Sequence, residues 1–419
     1  MRILFLSAFY PPFEIGGWEQ LVRDINMGLQ KRGHTTRVLT SVHGCDRPVR
    51  EEGVDRLLTL ESNIYHYNPF QFLGYGFRLK KNLKQTETVI KTFNPDVVFV
   101  HVMWNLSKGV AWKAEQLCPG RVVYYIANDW PYATDVHTVY WRTSANHPII
   151  DKVKQLVAPV PLQIMEQTNN KYTLNFRHVL CVSRAIKENL AFYAQIDRDH
   201  MRVVYNGVEV DRFFPERPSR DASKTGLAFV YAGSLVPHKG VHTAIEALAI
   251  INEKLEVPGL SLSIIGSGHP DYEAFLKQLV AKNYLTHKVH FLGRVPRNEM
   301  PELLRKFNVL IFPSIWEEPL ARVMQEAMAS GLAVLGTLTG GTGELLINGE
   351  TGLAFEPGNA AMLAQRMEQL YSNHSLRNRL AKNGRNKVIK EFNVQRMIDE
   401  IEQTLSKVAT GQALQAPGS

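Results

Sequence analysis

The chain has 419 residues, 45% of them hydrophobic and 21% charged, and a formal net charge of +8. That length suits two domains that each bury a core, and a modest basic excess without zinc-finger spacing or a ribonucleoprotein aromatic motif speaks against nucleic acid as a partner. Cys45, Cys118 and Cys181 are too few and too far apart for a disulfide framework or a metal cluster, so a reducing, cytoplasmic setting is expected.

The opening MRILFLSAFYPP holds one short apolar run cut by Pro11 and Pro12, too little for a secretory leader. No stretch approaches the roughly 20 apolar residues of a membrane span. Residues 2–7 read as a first strand, residues 18–32 as a helix stopped by Gly33, and residues 37–40 as the next strand. Strand, glycine-rich turn and helix in repetition predict an α/β fold with a parallel sheet. Gly16 and Gly17 would let backbone come close to a ligand at a helix N-terminus, or simply make a tight turn; they are not a dinucleotide fingerprint.

Residues 62–77 are rich in aromatics, and a helix over 78–93 follows. It gathers Leu79, Leu83, Ile90 and Phe93 on one face and Lys80, Lys81, Lys84 and Lys91 on the other. Such a helix suits an anionic membrane surface or an anionic acceptor, or else a plain solvated lysine face. Residues 1–210 hold 25 Lys and Arg against 19 Asp and Glu, so most of the basic excess lies in this half. Strands over 95–102 and 122–127 come next. The second delivers Asn128, Asp129 and Trp130 to a carboxyl end, where open α/β sheets place functional groups; an Asx turn is the bland alternative. After strands at 178–182 and 202–205, residues 215–226 have the composition of a linker.

Beyond it, a strand over 228–232 runs into Gly233-Ser234-Leu235, then Lys239-Gly240 and a helix to about residue 253. A lysine beside a glycine at a helix start can neutralise a diphosphate. Strands over 261–265 and 289–292 end at Gly266-Ser267-Gly268 and at Gly293-Arg294. Residues 309–312 form a short apolar run stopped by Pro313-Ser314, as expected of a parallel strand covered on both faces. Pro319 fits the first position of a helix that Gly331 would end. A helix starting there offers free N–H groups to a phosphate, with Glu318 before it and Glu326 about two turns along. The two acids could grip sugar hydroxyls and a ribose, or be an N-cap and a solvated helix residue.

Glu318, seven residues, then Glu326, preceded by Pro313-Ser314 and followed by Gly340-Gly341, Glu344, Gly349 and Gly352, resembles the donor-site signature of family four of the retaining glycosyltransferases. The resemblance runs from Arg2 to about Leu405. It implies the GT-B architecture: two facing Rossmann-like domains with parallel sheets and a cleft between them, the second holding a nucleotide-sugar and the first an acceptor glycan, lipid or small molecule. On this reading residues 1–212 form the acceptor domain, 213–226 the linker and 227–385 the donor domain. Residues 386–407 form a C-terminal helix crossing back to the first domain, and 408–419 a disordered tail.

The resemblance makes Lys239 the phosphate-binding lysine, Glu326 the ribose ligand, Glu318 the ligand of the transferred sugar, and Gly16-Gly17 the loop facing the donor phosphates. It also puts Gly233, Gly266, Arg294, Pro319, Leu320 and Ala321 around the nucleotide. Three positions depart from the usual pattern. Asn128, beside Asp129, stands where many members have His; Ser234 stands where many have Arg, a contact that Arg294, Arg322 or His238 could supply; Leu320-Ala321 replaces an aromatic and a glycine. The expected activity is sugar transfer to an acceptor hydroxyl with the anomeric configuration kept, in polysaccharide, glycolipid or other glycoconjugate synthesis, with peripheral contact at an anionic membrane. No cofactor is expected, and no metal, since no Asp-x-Asp motif placed to tether one to the diphosphate is found. A non-catalytic nucleotide-sugar-binding subunit and a nucleotide-sugar epimerase of the same architecture remain alternatives.

Overall fold

The structure is a computed structural model that describes residues 1–13, 16–64, 66–215, 226–255 and 259–412. Most of the expected linker, 216–225, the last residues of the expected tail, 413–419, and Tyr65 of the aromatic segment lie outside the described residues. The chain divides into two compact units, one made of Met1–Val182, Ile186–Val204 and Ile398–Ser419, the other of Ser183–Ala185 and Tyr205–Met397.

The first unit is built on eight strands: β1 (Arg2–Leu6), β2 (Thr35–Ser41), β3 (Val49–Glu51), β4 (Val54–Leu58), β5 (Val97–Val100), β6 (Val122–Ile126), β7 (Val179–Cys181) and β8 (Met201–Val203). Their order in the sheet is β3-β4-β2-β1-β5-β6-β7-β8. All neighbours pair in parallel except β3 with β4. The apolar runs explain this: Ile3, Leu4, Phe5 and Leu6, and all of Val97, Val98, Phe99 and Val100, are buried on both faces, as strands covered by helices on each side must be. Helix Trp18–Lys31 turns Leu21, Val22, Ile25 and Leu29 inward. Helix Tyr75–Phe93 begins three residues before its expected start, buries Leu79, Val89, Ile90 and Phe93, and ends on left-handed Asn94.

The second unit holds six strands: β9 (Ala228–Ala232), β10 (Ser261–Ile265), β11 (Val289–Gly293), β12 (Val309–Phe312), β13 (Ala333–Gly336) and β14 (Leu353–Ala354). The sheet runs β11-β10-β9-β12-β13-β14, all parallel. Phe229, Leu262, Val309, Ile311 and Leu335 pack with Val241, Ile245 and Leu248 of helix Val241–Leu255 in one core. The C-terminal helix expected over 386–407 is two elements, the end of helix His374–Glu391 and helix Val394–Ala409. The second helix runs two residues into the segment expected to be disordered.

Each sheet reverses its strand order once. In the first unit β1 has β2 on one side and β5 on the other; in the second, β9 has β10 on one side and β12 on the other. Connections therefore leave the central strands in opposite directions and open a crevice at the carboxyl ends, the place where open α/β sheets bind ligands.

Candidate functional site

In the second unit the crevice lies where β9 and β12 deliver their loops. After β9 the chain makes a 3-10 turn, Pro237–Lys239, closed by Gly240 at φ +69°. A Cβ on Gly240 would sit 2.0 Å from the Pro313 carbonyl oxygen, so only glycine lets this turn cross the end of β12. That crossing brings together two residues 79 positions apart: Lys239 Nζ donates to Glu318 Oε1 at 2.5 Å. Ser314 Oγ donates to the same oxygen at 2.7 Å, and Thr337 Oγ1 donates to the Ser314 carbonyl at 2.6 Å. Glu318 is only 7% exposed. It is a buried, ion-paired carboxylate fixed by the floor of the crevice.

The helix after β12 begins at Arg322, not at Pro319, and runs Arg322–Ala329. Pro319, Leu320 and Ala321 instead lead into it, with Ala321 extended at the N-cap and no side chain capping. The cause is a turn elsewhere in the sequence. Gly341 N donates to the Glu318 carbonyl at 2.7 Å, and Gly340, at φ +56°, comes so close that a Cβ would stand 2.4 Å from the same oxygen. Pinning residues 318–319 in this way delays the helix and leaves its first N–H groups without a side-chain partner at the crevice.

Glu326 is 5% exposed, so it is no solvated helix residue. Arg297 Nη1 donates to its Oε1 at 2.9 Å, and Arg322 Nε lies 3.7 Å from it. Ser234 is exposed, and its carbonyl accepts the Tyr231 hydroxyl at 2.8 Å. Burial, reinforced by the negative charge of Glu318, raises the Tyr231 pKa, keeping that phenol a donor. Gly233 and Gly266 meet at the ends of β9 and β10, where Gly233 N donates to the Ile265 carbonyl at 3.0 Å. Arg294 follows β11, two strands from β9; at about 5 Å per strand it stands roughly 10 Å along the sheet edge. Arg297, three residues further on, is the arginine that pairs with Glu326. His238 presents its carbonyl to the Ile315 and Trp316 N–H groups, and burial and Lys239 lower its imidazole pKa.

The remaining candidates lie in the first unit. Gly16 N donates to Glu19 Oε2 at 3.0 Å, and Gly17 is the N-cap of helix Trp18–Lys31. A Cβ on Gly17 would meet nothing within 4 Å, so the fold itself does not demand glycine there. Asn128 and Asp129 follow β6. The Asp129 carbonyl closes a turn by accepting the Tyr132 and Ala133 N–H groups, while buried Asn128 keeps an Oδ1 that no donor reaches among the described residues. His101, directly after β5, is fully buried, and desolvation lowers its pKa to about 3, so it is a neutral imidazole. Among the described residues no group of three or more His, Cys, Asp and Glu is placed to hold a metal ion, and no helix is long and apolar enough to cross a membrane.

Sequence reasoning missed Arg297, Ser314 as a ligand of Glu318, and Thr337. None lies on a periodic face, and Arg297 reaches Glu326 across 29 residues. The signal available was the Pro313-Ser314 stop alone.

The chain is similar to known proteins. Residues 15–212 match the family described as Glycosyltransferase Family 4, and residues 214–387 match Glycosyl transferases group 1. The O-antigen chain mannosyltransferase RfbU of Salmonella typhimurium is 32% identical over 277 residues, 64% of this chain and 70% of that protein. Glycogen synthase of Mycobacterium tuberculosis is 26% identical over 420 residues, covering 94% of this chain and 92% of that one. The crystal structure of Anabaena Alr3699/HepE in complex with UDP and glucose superimposes with a TM-score of 0.67 at 21% identity, over 97% of this chain and 99% of that chain.

Proposed function

We propose that this chain, which belongs to glycosyltransferase family 4 and has the GT-B fold of two parallel-sheet units, transfers a sugar from a nucleoside diphosphate to an acceptor hydroxyl with the anomeric configuration kept. The observation that carries the donor part is the Lys239–Glu318 pair at the β9–β12 crevice, beside a helix start with no side-chain cap. As the bond from the anomeric carbon to the diphosphate breaks, negative charge grows on the leaving phosphate. Lys239 and the first N–H groups of helix Arg322–Ala329 are in place to stabilise it without reorganising, the effect of a preformed oxyanion site. Glu318, held by Lys239 and Ser314, would accept from hydroxyls of the transferred sugar, and Glu326 from the ribose. The acceptor proton would pass to the leaving phosphate oxygen, so no protein base and no metal is required.

A neighbour crystallised with UDP and glucose makes UDP-glucose the first donor to try. Incubation with an acceptor mixture, followed by proton NMR of the anomeric coupling, tests the reading. An equatorial anomeric proton, with its small coupling to H2, carried from the α-linked donor to the product supports it; an axial one with a large coupling shows inversion and rules out retention. Interconversion of the donor alone identifies an epimerase, and binding without turnover a non-catalytic subunit.

A second observation favours peripheral contact with an anionic membrane. Ile149, Val153, Leu156 and Val160 recur at helical spacing along helices Pro148–Val157 and Pro159–Lys171, and all are exposed, Leu156 by 83%. Phe70 and Leu73 in the 3-10 turn Pro69–Gly74, and Phe77 in helix Tyr75–Phe93 just after it, are exposed as well. Tyr75 and Leu79 of that helix pack on Met165 and Tyr172, which joins the two regions. Residues 66–93 and 136–171 together carry nine Lys and Arg against three Asp and Glu. Exposed apolar side chains within a basic surround are what an acidic lipid surface attracts. Co-sedimentation with phosphatidylglycerol but not phosphatidylcholine vesicles is expected; equal partition or none would end this reading.

A further inference from the structure

A cavity of about 580 Å³ lies wholly within the first unit, lined by the segments after β5 and β6, by Glu61 and by helix Pro159–Lys171. Its size is that of a small-molecule site. Glu61 is built into it from behind. Its N–H donates to the Asn105 carbonyl at 3.0 Å, and its own carbonyl accepts Arg78 Nη2 at 3.0 Å. Asn105, in the left-handed region at φ +56°, spends its side-chain amide on the next residue: its Oδ1 accepts from Ser62 N and Oγ, and its Nδ2 donates to the Ser62 carbonyl. The backbone is clamped on both sides while the carboxyl, in a residue 8% exposed, receives no hydrogen bond from the described residues. A buried carboxyl without a protein partner is costly unless water or a ligand satisfies it.

The rest of the wall gives the ligand's chemistry. Burial and the charge of Asp135 raise the Glu61 pKa to about 8, against the pull of Arg78 and Lys108, so near neutral pH the group is chiefly an uncharged donor and acceptor. Trp104 and Trp130 supply flat apolar faces, and the buried indole N–H of Trp130 has no acceptor among the described residues. Lys108 Nζ donates to the Pro131 carbonyl, and Asp135 accepts from Thr138 N and Oγ1. The lining carries Glu61, Asp135 and Glu166 against Lys108 and Arg142. That balance offers no net positive charge to a phosphate or carboxylate. A ring with C–H faces and several hydroxyls matches indoles, carboxyls and amides together.

We propose that this cavity takes an uncharged saccharide unit as the acceptor, with the Glu61 carboxyl and the Trp130 indole N–H hydrogen-bonded to its hydroxyls. The assignment as acceptor rests on the transferase reading above; the binding site itself does not. Saturation-transfer NMR on the full chain tests it, with the methyl glycosides of glucose, galactose, mannose and N-acetylglucosamine as probes. Glucuronate and glycerol 3-phosphate serve as anionic controls, each with and without UDP. Calorimetric titration of UDP-glucose runs in parallel. At least one methyl glycoside is expected to show transfer and the anions none. Glu61→Ala and Trp130→Phe should each weaken that glycoside about tenfold or more, with the UDP-glucose affinity of both variants unchanged. Absence of transfer from every glycoside while UDP-glucose binds, transfer unaltered in both variants, or a preference for the anions would overturn the proposal. Glycoside binding without any UDP-glucose binding would leave the cavity standing and remove the transferase reading.

Discussion

The crevice of the second unit and the strand ends around the cavity of the first treat their buried polar groups in opposite ways. In the second, Glu318 and Glu326 are neutralised by Lys239 and Arg297, which arrive from other loops. In the first, Asn128, His101 and Trp130 keep buried polar atoms with no hydrogen-bond partner among the described residues, and Glu61 lines the cavity with its carboxyl. A paired crevice has its charges fixed before a ligand arrives, which suits stabilising charge that develops during a reaction. An unsatisfied cavity gains its hydrogen bonds only when something enters, which suits selecting a molecule by its hydroxyls. The difference fits a division between a unit that activates a donor and one that chooses an acceptor.

That contrast breaks most visibly at Lys239. Lys239→Ala should cut transfer from UDP-glucose by about 10²–10³-fold, as loss of one donor to a developing anion does elsewhere; steady-state rates at saturating donor measure it. A loss below threefold would mean that the pair is only structural. Next in size is the Arg297–Glu326 pair. Arg297→Ala leaves a buried carboxylate without its nearest cation and should cost about 2–3 kcal/mol by urea unfolding, most of it regained in Arg297→Ala with Glu326→Gln. Additive losses would mean that the two side chains do not act as a pair.

Glu61 makes the converse prediction through pH. Below about pH 4.5 its carboxyl is protonated whether folded or not, and between 4.5 and about 8 only the folded chain keeps the proton. The unfolded state then binds fewer protons, so this group's contribution to stability falls as pH rises through that window and levels off above about 8. Glu61→Gln should abolish that part of the slope and be more stable than the parent at pH 8.5; parallel melting curves from pH 5 to 9 decide it. A smaller effect is expected on the apolar stripe, where Leu156→Ser should reduce partition onto phosphatidylglycerol vesicles by about tenfold, the loss of one buried leucine. Because the side chain is exposed, thermal stability should not move. Gly17→Ala comes last: with open space around it, thermal unfolding should show a stability change of less than about 0.5 kcal/mol.

The legibility of the sequence follows the same division. β9, β10 and β12 were readable to the residue because short apolar runs ended by Gly or Pro have few alternatives. Lys239, Glu318 and Glu326 stood out as charges beside glycine and proline punctuation. The start of helix Arg322–Ala329 was misread by three residues because Gly340 and Gly341, about 20 residues downstream, hold the loop extended. Arg297 was invisible because its partner is set by tertiary contact. In the first unit the antiparallel pair β3–β4 is short and polar, and helices Pro148–Val157 and Pro159–Lys171 turn their apolar stripe outward, against the usual sense of amphipathicity. Glu61 carries no signal in the sequence, since its setting depends on Asn105 and Arg78, 44 and 17 residues further along the chain.

The central claim is that the paired crevice of the second unit is a nucleotide-sugar site. Calorimetric titration with a panel of nucleoside diphosphates and nucleotide-sugars, UDP-glucose first, on the parent chain and on Lys239→Ala and Glu326→Ala tests it most directly. One nucleotide-sugar is expected to bind, and each substitution to weaken it at least tenfold. Failure of every nucleotide to bind, or affinities that both substitutions leave unchanged, would contradict it.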